Sequence, residues 1–146
     1  MQSEQLYRQG DTKRRSVLGD AHVDRASSGT TDVNRDFQDL IVRYAWGEIW
    51  TRPALGVRDR RILVMGTMVA LGRWDELRLH LRSALADCMS LCDIQEILLQ
   101  QAIYCGVPAA NTAYHHLSEI VQELESLGTV INRAPTPSTG GVPAAV

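Results

Sequence analysis

The sequence predicts an all-α domain. Three observations carry that expectation. Apolar residues recur at helical spacing over five segments between residues 32 and 127, no segment sustains the alternation of a strand, and Gly or Pro punctuates the segment ends at Pro53, Gly72, Gly106 and Gly128. The 146 residues, 45% hydrophobic and 22% charged, suffice for one domain with a real core and leave no room for a second of ordinary size.

Residues 1–31 read as a polar N-terminal arm with sparse apolar points at Tyr7, Val17, Leu18 and Val23. A short helix is expected over residues 4–18, then an extended stretch through His22 and Arg25 held down by a neighbouring subunit. Residues 32–128 form the helical domain. Phe37, Leu40, Ile41, Tyr44, Ala45 and Ile49 predict an amphipathic helix with that face inward, capped by Thr31 or Asp32 and ending near Trp50, before Arg52-Pro53. Residues 58–71 are apolar nearly all round, which predicts a helix buried on most sides. A third helix from Trp74 to about Asp87 carries Leu77, Leu81, Ala84 and Leu85 as its inward stripe. Ser90 and Asp93 resemble a capping box opening a helix through Ile94, Ile97, Leu98 and Ile103. The last helix starts at Pro108 and runs to about Leu127, with Gly128 as its C-terminal cap. Residues 129–146 are rich in Pro, Ser, Thr and Gly and read as a disordered tail.

Charge and cysteine content exclude several classes. Fifteen basic against seventeen acidic residues give a net charge of −2, so neither nucleic acid nor a membrane surface is an expected partner. Fourteen of the fifteen basic residues are Arg and the sole lysine, Lys13, lies in the polar arm, which disfavours Schiff-base and pyridoxal-phosphate chemistry. Three cysteines, Cys88, Cys92 and Cys105, without a secretory signal pattern read as reduced thiols in the cytoplasm. The longest apolar stretch, residues 62–72, is well short of the roughly 20 residues that cross a bilayer.

Phosphate-cradling, dinucleotide, zincin and esterase-elbow motifs are absent, and no metal site is expected. One constellation carries chemistry. Glu76 and His80, at i and i+4, share a helix face with Arg73 one turn further back, an arrangement that suits either a solvated surface pair or an acid/base unit for an anionic substrate. For His115 and His116, one ring is expected outside and the other packed or at a neighbouring chain.

The ordered series Phe37-Gln38, Ala45-Trp46-Gly47-Glu48-Ile49-Trp50, Arg52-Pro53-Ala54-Leu55, Arg60, Ala70-Leu71-Gly72, Glu76-Leu77-Arg78-Leu79-His80, Glu96 and Tyr104-Cys105-Gly106-Val107-Pro108-Ala109-Ala110-Asn111 resembles the 4-carboxymuconolactone decarboxylases. Gly10, Arg14, Val17-Leu18-Gly19 and His22-Val23 with Arg25 extend the resemblance through the arm, so that it covers roughly residues 4–127. The AhpD-like peroxidases of the same superfamily work through CxxC and, after three intervening residues, His. Aligned on His80, those cysteines fall on Arg73 and Glu76, which disfavours thiol chemistry. Cys88 stands where relatives usually carry Gly.

The resemblance implies an AhpD-like fold of about six helices assembled into a ring-like homo-oligomer, commonly a hexamer. It implies cofactor-independent decarboxylation of 4-carboxymuconolactone to 3-oxoadipate enol-lactone, in the protocatechuate branch of the β-ketoadipate pathway. His80 would be the acid, Glu76 its orienting partner, and Glu96 an acidic group of the family or a helix-start residue. Arg60, Arg78, Arg25 and His22 would bind substrate carboxylates. Trp46, Trp50 and Tyr104 would wall the leaving carboxylate, or serve as ordinary packing. Two other readings stay open: a relative acting on another lactone or β-keto-type acid in specialised metabolism, and a non-catalytic, carboxylate-binding helical oligomer.

Overall fold

A computed structural model describes residues 1–87 and 89–136, and every regular element among them is helical. Cys88 and residues 137–146 lie outside the described residues, so the expectations placed on Cys88 and on that part of the tail concern positions that are not described. The chain divides into two compact units, Met1–Val64 and one that begins at Met65.

The first unit contains α1 (Gln2–Leu18), α2 (Asp20–Ser28), α3 (Arg35–Leu40), a π-helix (Ile41–Ile49) and the opening turns of α4 (Val57–Leu71). The arm is therefore helical through His22 and Arg25 rather than extended there. Two local causes are evident. Gly19, at φ 89°, ends α1 and starts α2 in a conformation that favours glycine, and Arg15 clasps Asp11 on its own helix and Asp20 and Asp24 on the next, at 2.9, 3.2 and 2.8 Å. Of the arm's sparse apolar points, Val17, Leu18 and Val23 are buried within the chain and Tyr7 is half-buried.

Helix α1 packs on the π-helix with backbone against backbone. A Cβ on Gly10 would stand 1.9 Å from the Val42 carbonyl oxygen, and one on Gly47 would stand 2.5 Å from that of Leu6. Only residues without a side chain permit so close a crossing. The expected inward stripe is displaced as a result: Val42, Trp46 and Gly47 are buried, whereas Phe37 is 61% exposed and Leu40, Tyr44 and Ile49 stand about half out. A π-helix closes i to i+5 bonds, as Trp50 N–H does on the Ala45 carbonyl at 2.9 Å, and its wider turn rotates the face that a 3.6-residue period would select. The cap also moves. Asn34 opens α3, and its side-chain oxygen accepts from Thr31 N–H at 2.8 Å.

Along α4 the buried stripe is Arg61, Met65 and Val69, four residues apart, while Leu63 and Leu71 are exposed. The burial on most sides expected of this helix is met only in part within the chain: Ile62, Val64, Gly66 and Met68 are half-buried beside that stripe.

The second unit contains the remainder of α4, α5 (Trp74–Ala86), α6 (Leu91–Tyr104) and α7 (Val107–Ser126). Its core is the stripe Leu77, Leu81, Ala84 and Leu85 of α5 with Ile94 and Leu98 of α6 and Ala113, Leu117, Ile120 and Leu124 of α7. Arg82 holds Glu123 across α5 and α7 at 2.5 Å. Gly128, at φ 83°, ends α7 in a Schellman turn, with Gly128 N–H on the Glu125 carbonyl and Thr129 N–H on that of Leu124.

Residues 129–136, placed in the tail on composition, run back to the start of α6. Ile131 is buried, Leu91 N–H donates to the Asn132 carbonyl at 2.8 Å, and Thr136 donates to Asp93 through its hydroxyl at 2.5 Å and its N–H at 3.3 Å. Asp93 also completes a reciprocal capping box with Ser90. Burial raises the Asp93 carboxyl's pKa, but the bonds from Thr136 and Ser90 outweigh it and hold the group below the ordinary carboxylate range. A depressed folded pKa contributes stability that is present above the unfolded value and is lost as pH falls through the folded one. Asp93→Asn is expected to lower stability at pH 7 by about 1–2 kcal/mol. In urea melts the difference should shrink toward acid pH; a gap that persists unchanged at low pH would show that charge on Asp93 is irrelevant.

Candidate active site

In the unit that begins at Met65, His80 stands midway along α5, on the face formed by Leu77, Leu81 and Ala84. It is 8% exposed. The spacing that sets the inward stripe therefore buries the imidazole with it. Glu76, one turn earlier, is exposed and makes no hydrogen bond or ion pair among the described residues. Arg78 points its guanidinium at α7: Nη1 lies 3.0 Å from His116 Nδ1 and 2.6 Å from Glu119 Oε2. A guanidinium can only donate, so His116 Nδ1 accepts and that ring is neutral. Burial and then the Arg78 charge lower its pKa in the same sense. The His116 ring stacks on Trp74 at 5.5 Å, and exposed His115 pairs with Glu119 at 3.0 Å, which divides the two histidines as their adjacency suggests. Glu96 is exposed on α6, where its charge helps burial to raise the Tyr114 phenol's pKa. Tyr104, at the end of α6, is 80% exposed.

In the first unit the guanidiniums cluster around α1 and α2. The pKa of His22 is lowered by partial burial and then by the charges of Arg14 and Arg25, which favours the neutral ring. Arg60 is half-buried; its Nη2 donates to the Arg52 carbonyl at 3.1 Å, while its buried Nε meets no acceptor. Trp46 and Trp50 stack with centroids 4.7 Å apart, Trp46 being buried against the packed side of the π-helix. Within this unit, His22 and Arg25 lie one turn apart on α2, and the Arg25 charge reaches the ring.

Two arginines here were not among the expected site residues. Arg61 is fully buried and donates from Nη2 to the Val17 carbonyl at 2.8 Å. Arg14 is 8% exposed and shares the buried face of α1 with Gly10, Val17 and Leu18. The signal that could have found Arg14 is that spacing of i, i+4, i+7 and i+8, which puts a charge on the one face of α1 that carries the glycine and the apolar pair.

Residues 35–119 match the carboxymuconolactone decarboxylase family. A 4-carboxymuconolactone decarboxylase of Acinetobacter baylyi is 39% identical over 133 residues, 91% of this chain and 99% of the relative. The nitrosuccinic acid decarboxylase npaB of Metarhizium robertsii is 32% identical over 84% of this chain and 86% of its own length. A 48-residue 4-carboxymuconolactone decarboxylase sequence from Pseudomonas putida is 48% identical throughout, matching 33% of this chain.

Proposed function

Since this chain belongs to the carboxymuconolactone decarboxylase family, we propose that it is a carboxy-lyase that converts 4-carboxymuconolactone to 3-oxoadipate enol-lactone, a step of the protocatechuate branch of the β-ketoadipate pathway. The observation that carries this reading is the likeness to the Acinetobacter enzyme over nearly the whole of both chains.

The substrate is a five-membered unsaturated lactone bearing one carboxylate on its saturated ring carbon and a second on a pendant acetate. When the ring C–CO₂ bond breaks, its electron pair moves through the ring double bond onto the lactone carbonyl oxygen. A proton then adds to the ring carbon beside that carbonyl. The substrate is its own electron sink, so the reaction calls for binding, oxyanion stabilisation and one proton, and for no added cofactor. His80 donates the proton; an imidazole is suited to that near neutral pH. Glu76, one turn earlier, is the family-implied partner of that ring although it is exposed and bonded to nothing among the described residues, and Glu96 is a second acidic candidate. Arg60, Arg25 and His22 bind carboxylate, with Arg78 a weaker choice because Glu119 already holds it. Trp46 and Trp50 offer an apolar wall in the first unit and Tyr104 in the second.

Assembly into a ring-like homo-oligomer, a hexamer by family resemblance, is part of the same proposal. It is supported in the first unit by the exposed row Phe37, Leu40, Tyr44 and Ile49, and in the second by Leu99, Ile103, Tyr104 and Val107. Monomeric proteins rarely present such patches. No helix among the described residues is long and apolar enough to cross a membrane, and a cytoplasmic location suits a pathway enzyme of this kind.

Incubation with enzymatically prepared 4-carboxymuconolactone should consume the unsaturated lactone's absorbance and release one carbon dioxide per turnover. Failure by a correctly assembled protein defeats the proposal. The likeness to the nitrosuccinic acid enzyme favours one alternative, a related acid whose carboxylate neighbours another electron-accepting group, so nitrosuccinate belongs in the same assay.

A further inference from the structure

Arg14 is a buried cation that its own unit leaves unanswered. Its side chain is 8% exposed, its Nε is buried without an acceptor, and among the described residues it forms no hydrogen bond or ion pair. Removing a guanidinium from water is costly unless an anion meets it. The nearby acids are already committed. Asp11, Asp20 and Asp24 all bind Arg15, the next residue along, at 2.8 to 3.2 Å. Arg25, across on α2, likewise has no partner among the described residues, and His22 lies within the influence of both charges. The arm thus sets a buried guanidinium without a direct partner and an exposed one around His22, while Asp11, whose charge reaches Arg14, makes its direct bond to Arg15.

We propose that Arg14, with His22 and Arg25, forms a carboxylate subsite that holds the carboxylate the substrate keeps, the pendant acetate, rather than the one it loses. The choice follows from charge. A guanidinium fixed on the departing carboxylate would stabilise a negative charge that must leave that group, which favours the ground state over the transition state. On the retained carboxylate the same grip is equally strong before and after bond cleavage and serves only to bind and orient. Arg14 supplies a guanidinium whose Nε is buried without an acceptor, Arg25 the exposed rim, and His22 a ring N–H donor. This assignment rests on the decarboxylase reading for the identity of the substrate, but the subsite itself can be tested without turnover.

The experiment compares wild type with Arg14→Met, Arg14→Lys and Arg25→Met, first for steady-state turnover of 4-carboxymuconolactone. Thermal stabilisation by adipate, an inert dicarboxylate, is then set against that by hexanoate, which has one carboxylate. Arg14→Met is expected to raise KM by roughly 10- to 100-fold with kcat within about 3-fold, and added methylguanidinium should partly restore KM. Arg14→Lys should fall between, since it keeps the charge and loses the fork. Arg25→Met should raise KM less. Adipate should stabilise wild type more than hexanoate does, and Arg14→Met should erase that difference. Should Arg14→Met fail to fold, the Lys and Arg25 variants carry the same test. Unchanged KM in folded Arg14 variants overturns the subsite. So does a fall in kcat alone, which would place Arg14 at the reacting carbon, or a change in assembly mass with KM intact, which would give Arg14 a carboxylate of another copy. If wild type turns over no lactone, the decarboxylase reading fails by itself; the subsite stands if adipate stabilises wild type and not Arg14→Met, and falls if it stabilises neither.

Discussion

Gly10→Ala is expected to cost about 3 kcal/mol or more, which for a chain of this size lowers the melting temperature by about 10 °C. The added methyl would sit 1.9 Å from the Val42 carbonyl oxygen and 2.9 Å from Gly47 N, with backbone on both sides. No rotamer change relieves that contact, so α1 must lift off the π-helix, and the packing of Val17 and Trp46 loosens with it. Gly47→Ala meets the Leu6 carbonyl at 2.5 Å and should behave similarly. Gly56→Ala is the control: its Cβ has no neighbour within 4 Å, and the change should stay within about 0.5 kcal/mol. Thermal and urea melts of the three variants settle the matter. If Gly10→Ala melts with wild type, the close helix crossing does not exist in solution.

His80→Gln is expected to lower kcat by about 10²-fold or more, because an amide can hydrogen-bond but cannot deliver a proton. The substitution sits on a buried face between Leu77 and Leu81, so circular dichroism and the mass of the assembly must first show a native fold. The diagnostic readout is the pH profile of kcat, which should lose the limb that reports the imidazole. Glu76→Gln should have the smaller effect, given that Glu76 is exposed and bonded to nothing among the described residues. A His80→Gln enzyme with wild-type turnover and an unaltered profile removes His80 from proton transfer.

What the sequence discloses about the fold depends on how far each cause reaches. The Ser90 and Asp93 capping box is readable because donor and acceptor are three residues apart, and the α5 stripe because period 3.6 holds along the whole helix. The face of the segment from Phe37 to Ile49 is not readable the same way, since the i to i+5 turn is chosen by packing against α1 and shifts the phase. The α2 helix is hidden for a related reason: a clasp from Arg15 to Asp20 and Asp24 stabilises a stretch with few apolar residues. At the site, His80 is legible as a helix-face histidine, but its degree of burial is a tertiary outcome. Arg78 reads as available until α7 brings Glu119 to it from 41 positions away. Arg14 is masked by its type, because an arginine on a polar helix is ordinarily solvated; its spacing with Gly10, Val17 and Leu18 hints at a buried face, and the tertiary fold shows the burial.

The clasp made by Arg15 has one more consequence. Its ion pairs face water, with Asp20 and Asp24 well exposed, so mobile ions weaken them while the apolar contacts of Val17, Leu18 and Val23 are left intact. Electrolyte therefore acts selectively on α2, the element that carries His22 and Arg25, and fraying of that short helix is a low-energy opening available without global unfolding. In concentrated salt the arm can keep its anchor and still lose its grip on a small anion.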